Sequence, residues 1–194
     1  MRVGVLAVQG AFAEMETYWR AKGVEVFEIR QLADLERGLD TLALPGGEST
    51  VQGKLLKDLG LFAPLKERID SGLPVFATCA GLILLAEKIE DDGGRAGVRP
   101  SQWFGSLPVT VKRNAYGRQL GSFRCTEDFD GEPTEMPFIR APFVSDAGSA
   151  QVLAVHDNRI VAVKQGTQLA CAFHPELTGD RTVYNMFLKD CKGE

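Results

Sequence analysis

Histidine is almost missing from this chain: 194 residues contain two, His156 and His174. Cysteine is nearly as sparse. Cys79, Cys125, Cys171 and Cys191 lie far apart and form no C-x-x-C pair. A zinc site shows clustered Cys and His at short spacing, so the sequence implies no metal site. The four cysteines read as free thiols of a reducing cytosol. Long apolar runs are also lacking, and none approaches the ~20 residues of a membrane span. There is no Lys/Arg run or basic stripe and the net charge is −4, which argues against nucleic acid as a partner. The opening MRVGVLAVQG lacks the apolar core and cleavage site of a signal peptide, so a cytoplasmic location is expected. No internal repeat, low-complexity tract or linker interrupts the chain.

What the chain does have is 44% apolar residues, enough at this length to bury one core without disulfides or metals. A single domain over residues 1–194 is expected. The run 3–8 holds three valines and reads as a buried strand. Residues 11–22 read as a helix capped by Gly23, and 24–29 as a second strand. Strands over 39–44 and 74–78 alternate with helices over 49–60, 63–71 and 80–89. That alternation is the pattern of a parallel sheet covered on both faces. The second half reads differently, with short strands over 109–112, 121–125, 152–155, 160–164 and 169–173, then a closing helix over 180–189. Asp157-Asn158 suits a hairpin turn between two of them. The Gly- and charge-rich stretch 91–100 reads as a mobile loop. The expected fold is α/β with an antiparallel addition.

One cysteine has a context the others lack. In Val75-Phe76-Ala77-Thr78-Cys79-Ala80-Gly81-Leu82, Cys79 stands between a strand and a helix with small residues at −2, +1 and +2. That is the layout of a nucleophile elbow, where larger neighbours would clash. A helix N-terminus favours the thiolate, and the Ala80 N–H would face an oxyanion formed on attack. A buried structural cysteine is the competing reading, and it prevails for Cys125, Cys171 and Cys191.

A thiol nucleophile calls for a base. Phe173-His174-Pro175-Glu176 follows the last strand, and side chains two apart in extended chain share a side. Glu176 would then orient the imidazole and stabilise its protonated form. His174 as a mere strand end is the alternative, weakened by a second reactive-looking strand end at Cys79. His156 reads as a packing or surface residue. Leu44-Pro45-Gly46-Gly47-Glu48-Ser49-Thr50 forms a third junction. Its glycine pair can aim N–H groups at an anion, with Gly47 the expected donor, and the lysine of a phosphate loop is absent. A plain turn with a Ser/Thr helix cap would account for Ser49-Thr50 alone. Arg113 and Arg140 are candidates for a bidentate grip on a substrate carboxylate, or else ordinary surface arginines.

Taken in order, VGVLAVQGAFAE, LPGGEST, TCAGLILL, RNAYGRQ, FIRAP and AFHPELT resemble the glutaminase subunits of pyridoxal 5′-phosphate synthase, a branch of the class I glutamine amidotransferases. The resemblance runs from Val3 to Thr178. It implies a flavodoxin-like, open and mostly parallel sheet, and a Cys-His-Glu triad falling on Cys79, His174 and Glu176. It further implies an L-glutamine site of Gly47, Glu48, Ser49, Arg113, Ile139 and Arg140, no cofactor, and a (βα)₈-barrel synthase subunit as partner. Ammonia from glutamine would pass to that partner for pyridoxal 5′-phosphate synthesis. Two positions depart from the family pattern: Ala77 stands where glycine is usual, and Met15 where a histidine near the partner contact is common. A cysteine hydrolase of another amide, or a non-catalytic glutamine sensor on the same fold, are the alternatives.

Overall fold

The computed structural model describes residues 1–90, 97–113 and 122–192, the side chain of Lys192 excepted. The valine-rich N-terminal run forms β1 (Arg2–Leu6), and α1 (Phe12–Arg20) returns the chain to β2 (Glu25–Ile29). Then follow β3 (Thr41–Leu44), α2 (Ser49–Asp58), α3 (Phe62–Asp70), β4 (Val75–Thr78) and α4 (Ala80–Leu85). The second half supplies β5 (Ala86–Glu90), β6 (Val98–Pro100), β7 (Leu107–Lys112), β8 (Ser122–Phe129), β9 (Glu132–Ile139) and β10 (Phe143–Asp146). The chain ends with β11 (Gln151–His156), β12 (Arg159–Gln165), β13 (Gln168–Cys171) and α5 (Thr182–Lys192).

One sheet runs in the order β2-β1-β3-β4-β13-β12-β10-β7-β5-β6. Its first five strands are mutually parallel, and their order is that of a flavodoxin-like sheet. From β13 onward β12, β10 and β7 pair antiparallel, and β11, β8 and β9 extend this half as an antiparallel flap. The strand order reverses between β1 and β3, which opens a crevice at their carboxyl ends.

Helices cover both faces of the parallel half. Phe76 points to one side, where its ring meets Trp19 of α1 at 5.2 Å and Phe187 of α5 at 5.4 Å, both edge-on. Its neighbour Ala77 points to the other side, toward α4, as alternation along a strand requires. All these residues are fully buried.

Three expectations needed correction. The helix predicted over 80–89 ends at Leu85, and Ala86–Glu90 pairs in parallel with β7. A register shift between Ala86 and Lys88 leaves Ala86 and Ile89 buried three apart, a spacing that imitates a helix. Pro133 and Pro137 disguised β9 as non-strand. Prolines are tolerated there because, among the described residues, β9 pairs only with β8. The mobile loop expected over 91–100 falls partly outside the described residues, and 98–100 is strand. By contrast, Asp157 and Asn158 have φ of +51° and +57°, the turn expected between β11 and β12.

Phe76→Ala would empty the space between α1, α5 and the sheet, and should cost about 3–5 kcal/mol of stability by urea unfolding. Val51→Ala, on the exposed side of α2, should change stability by no more than about 0.5 kcal/mol.

Candidate active site

Cys79 joins β4 to α4 with φ of +50° and ψ of −101°. A residue with a Cβ adopts such a conformation at a cost of about 1–3 kcal/mol, so its surroundings must hold it there. The Cys79 N–H donates to the Cys171 carbonyl at 2.8 Å, tying the turn to the end of β13. Gly81 allows the tight approach of α4, since a Cβ there would lie 2.4 Å from the Leu44 carbonyl oxygen. The same missing methyl leaves room for Ala77, whose Cβ would be 3.1 Å from it. Alanine in place of the usual glycine is thus accommodated.

His174 lies just beyond β13 and is 5% exposed. Its N–H donates to the Pro137 carbonyl of β9 at 2.8 Å. Its Nδ1 is 2.7 Å from Glu176 Oε1, and Thr78 Oγ1 donates to the same oxygen at 3.2 Å. The two side chains meet as the sequence suggested, but by a different backbone. Pro175–Leu177 forms a 3₁₀ turn rather than extended chain, a position where proline's missing N–H costs nothing. Gly46 provides the room: a Cβ there would sit 2.3 Å from the His174 ring.

Burial by itself would lower the His174 pKa. Hydrogen bonds to Cys79 and Glu176, together with their negative charge, outweigh it and push the pKa up to about 10. The ring therefore holds its proton near neutral pH and donates to the Glu176 carboxylate. Burial, then nearby carboxylates, raise Cys171 well above the usual range and Cys125 to about 11. Burial also raises Cys191.

Cys79 and His174 open onto a cleft of about 240 Å³, lined also by Gly47, Glu48, Ser49, Arg113, Ile139 and Arg140. The Ile139 carbonyl is 3.9 Å from Cys79 Sγ, and Arg140 Nη2 is 3.6 Å from Glu48 Oε1. Ala80 follows Cys79 directly as the first residue of α4, its side chain fully buried, and Glu176 stands behind His174. Residues 114–119 of the RNAYGRQ motif lie outside the described residues. Met15 is fully buried in the core, so its side chain reaches the interior and not the surface of α1.

Gln9 was missed from sequence. Its side-chain oxygen accepts the Glu48 N–H at 2.9 Å, and its carbonyl accepts from buried Gln52. Its signal was its place at the end of β1, beside the crevice that β3 shares. Thr78 was passed over as a strand residue, although it immediately precedes the elbow.

Known proteins resemble this chain along its whole length. Residues 5–193 match the model of the SNO glutamine amidotransferase family. The chain is 52% identical to the pyridoxal 5′-phosphate synthase subunit PdxT of Desulfitobacterium hafniense, over all of this chain and 94% of that one. It is 51% identical to the protein of the same name from Methanocorpusculum labreanum, over 100% and 99% of the two chains. Among solved structures, a glutamine amidotransferase superposes with a TM-score of 0.86 at 40% identity, over 98% of each chain. A second glutamine amidotransferase, from Thermotoga maritima, shares the fold with a TM-score of 0.61 at 15% identity, over 100% of this chain and 83% of that one. No helix among the described residues is long and apolar enough to cross a membrane. The chain belongs to the SNO glutamine amidotransferase family.

Proposed function

We propose that this chain, acting as one domain over residues 1–194, hydrolyses L-glutamine to L-glutamate and ammonia as the cytoplasmic glutaminase subunit of a pyridoxal 5′-phosphate synthase. The observation that carries the reading is the line Cys79–His174–Glu176 at adjacent strand ends, opening onto a cleft with two arginines. The name of its close relatives supports the biosynthetic assignment.

In the proposed reaction the Cys79 thiolate attacks the side-chain amide carbon of glutamine. The tetrahedral oxyanion is met by N–H groups of Gly47 and Ala80, each worth about 3 kcal/mol in the transition state. His174 gives its proton to the amide nitrogen, and the C–N bond breaks to release ammonia. Water, losing a proton to His174, then attacks the thioester; the C–S bond breaks, the Cys79 thiolate re-forms, and glutamate leaves with its new carboxyl losing a proton to solvent. Glu176 holds the imidazole in place, with Thr78 as its second partner. Arg113 and Arg140 grip the α-carboxylate, while Glu48, Ser49 and Ile139 complete the glutamine site. No cofactor takes part. Ammonia is mostly protonated in neutral water and then cannot act as a nucleophile, so it is best passed directly to a partner. The proposed partner is a (βα)₈-barrel synthase subunit that also switches the glutaminase on.

Glutamate release from glutamine should rise strongly when that synthase subunit is added. No release with or without it would favour the sensor reading, and hydrolysis of other amides instead would favour the broader hydrolase. Cys79→Ala should abolish turnover while glutamine still binds, measured by calorimetry; substantial residual turnover would assign the nucleophile elsewhere.

The His174 pKa sets a second test. Activity needs the imidazole protonated, so kcat/KM should persist above pH 6.5–7.5 and decline only as pH rises toward about 10. Glu176→Gln should bring that basic limb down toward neutrality; an ordinary basic limb near pH 7 in the wild type would contradict the pairing. The same shift has a sign for stability. His174 is protonated more readily folded than unfolded, so its contribution is fully present below the unfolded value of about 6.5 and is lost as pH rises through the folded one.

A further inference from the structure

Far apart in sequence, Cys125, Glu127 and His156 are brought together by strand pairing. β8 and β11 run antiparallel with Phe129 opposite Ala154, which places residue 127 near 156. Cys125 and Glu127 are two apart on β8 and share a face. Cys125 Sγ is 3.6 Å from His156 Nδ1, and the same Nδ1 is 2.7 Å from Glu127 Oε1. One ligand atom from each of the three lies within 4.8 Å of the others, and all three residues are half-buried. The imidazole is held in orientation by the rings of Phe123 and Phe138, at centroid distances of 5.2 and 5.5 Å.

We propose that Cys125, Glu127 and His156 bind a borderline-soft divalent cation of the zinc class. A thiolate, an imidazole and a carboxylate form a donor set that suits zinc, whereas magnesium and calcium prefer oxygen ligands. The distances support this. Tetrahedral zinc, with bonds of about 2.3 Å to sulfur and 2.0–2.1 Å to nitrogen, places those two atoms about 3.6 Å apart. Cys125 and His156 already stand at that separation. Glu127 must swing outward by about half an ångström to make the corresponding N···O spacing of about 3.3 Å, and its side chain is 36% exposed and free to do so. The Asp157 carboxylate adds negative charge toward Cys125. On binding, the S–H bond of Cys125 breaks as the S–metal bond forms, and the proton leaves to solvent. Water takes the fourth position.

The site would clamp the flap that walls the active-site cleft. β9 pairs with β8 along its whole length, Cys125 facing Met136 and Ser122 facing Ile139. It also supplies the Pro137 carbonyl bonded to His174 and the Ile139 carbonyl beside Cys79. The inference stands on its own geometry, whether or not the glutaminase reading holds. Sequence spacing gave no hint of it, because 29 residues separate Glu127 from His156 along the chain.

The test uses Cys79→Ser protein, which removes the other Cys-His-Glu set, titrated with Co²⁺ and then Zn²⁺. One equivalent of Co²⁺ should bind with tetrahedral visible bands and a sulfur-to-cobalt charge-transfer band, and Zn²⁺ should displace it. Adding Cys125→Ser should abolish the charge-transfer band, and adding His156→Ala or Glu127→Gln should weaken binding tenfold or more. Far-ultraviolet circular dichroism of each variant, and retained glutamine hydrolysis by Cys125→Ser alone, report that the fold survives. Absence of stoichiometric binding would overturn the proposal, as would a charge-transfer band that persists without Cys125.

Discussion

The positive φ of Cys79 is the constraint around which the rest of the site is arranged. Left to itself a cysteine would relax out of that conformation. Three neighbours prevent it: the Cys171 carbonyl takes its N–H, α4 begins at once behind it, and Gly81 lets α4 lie against the Leu44 carbonyl. The Leu44 and Cys171 partners belong to β3 and β13, the strands on either side of β4. The turn therefore holds its shape only within a formed parallel sheet, and the same sheet delivers Gly46 and His174 to it.

Burial raises the pKa of Cys125, Cys171 and Cys191; nearby carboxylates add to it at the first two, and a Thr41 hydrogen bond partly opposes it at the third. At the elbow a buried imidazole faces Cys79 and Glu176. Desolvation of the imidazolium is the largest single influence on His174, yet the hydrogen bonds and charges of Cys79 and Glu176 together exceed it. Removing either partner would leave a buried charge incompletely compensated, which is why the pair works as a unit. Gly46 belongs to the same balance, since any side chain there would displace the ring.

The parallel half was legible in sequence because its signals are local. Apolar runs of strand length, helix caps at Gly23 and Gly60, and small residues flanking Cys79 each act within a few residues. The antiparallel half was harder to read. The bulge at Ala86–Lys88 gave a helical spacing to a strand, and two prolines hid β9. Within the site, Cys79 and His174 were legible as the ends of two strands, whereas the 3₁₀ turn that brings Glu176 against His174 left no local signal. Gln9 and Thr78 escaped notice because nothing local distinguishes them. Their importance comes from strand order, which places the end of β1 beside that of β3 and Thr78 over Glu176.

The two halves divide the work of the cleft. Cys79, His174, Gly46 and Gly47 follow strands of the parallel half, whereas Arg113 and Arg140 follow β7 and β9 of the antiparallel half. The width of the cleft depends on what holds these halves together. The Arg140–Glu48 pair bridges them, but both side chains are largely exposed, and a screened pair at 3.6 Å contributes little. The His174 N–H to the Pro137 carbonyl is a buried main-chain bond at 2.8 Å and does not depend on ionic strength. Proline at 137 supplies that carbonyl without offering an N–H to a competing strand. The cleft wall formed by β9 is thus fixed to His174 by backbone, whereas the Arg140–Glu48 contact on it is exposed and weak.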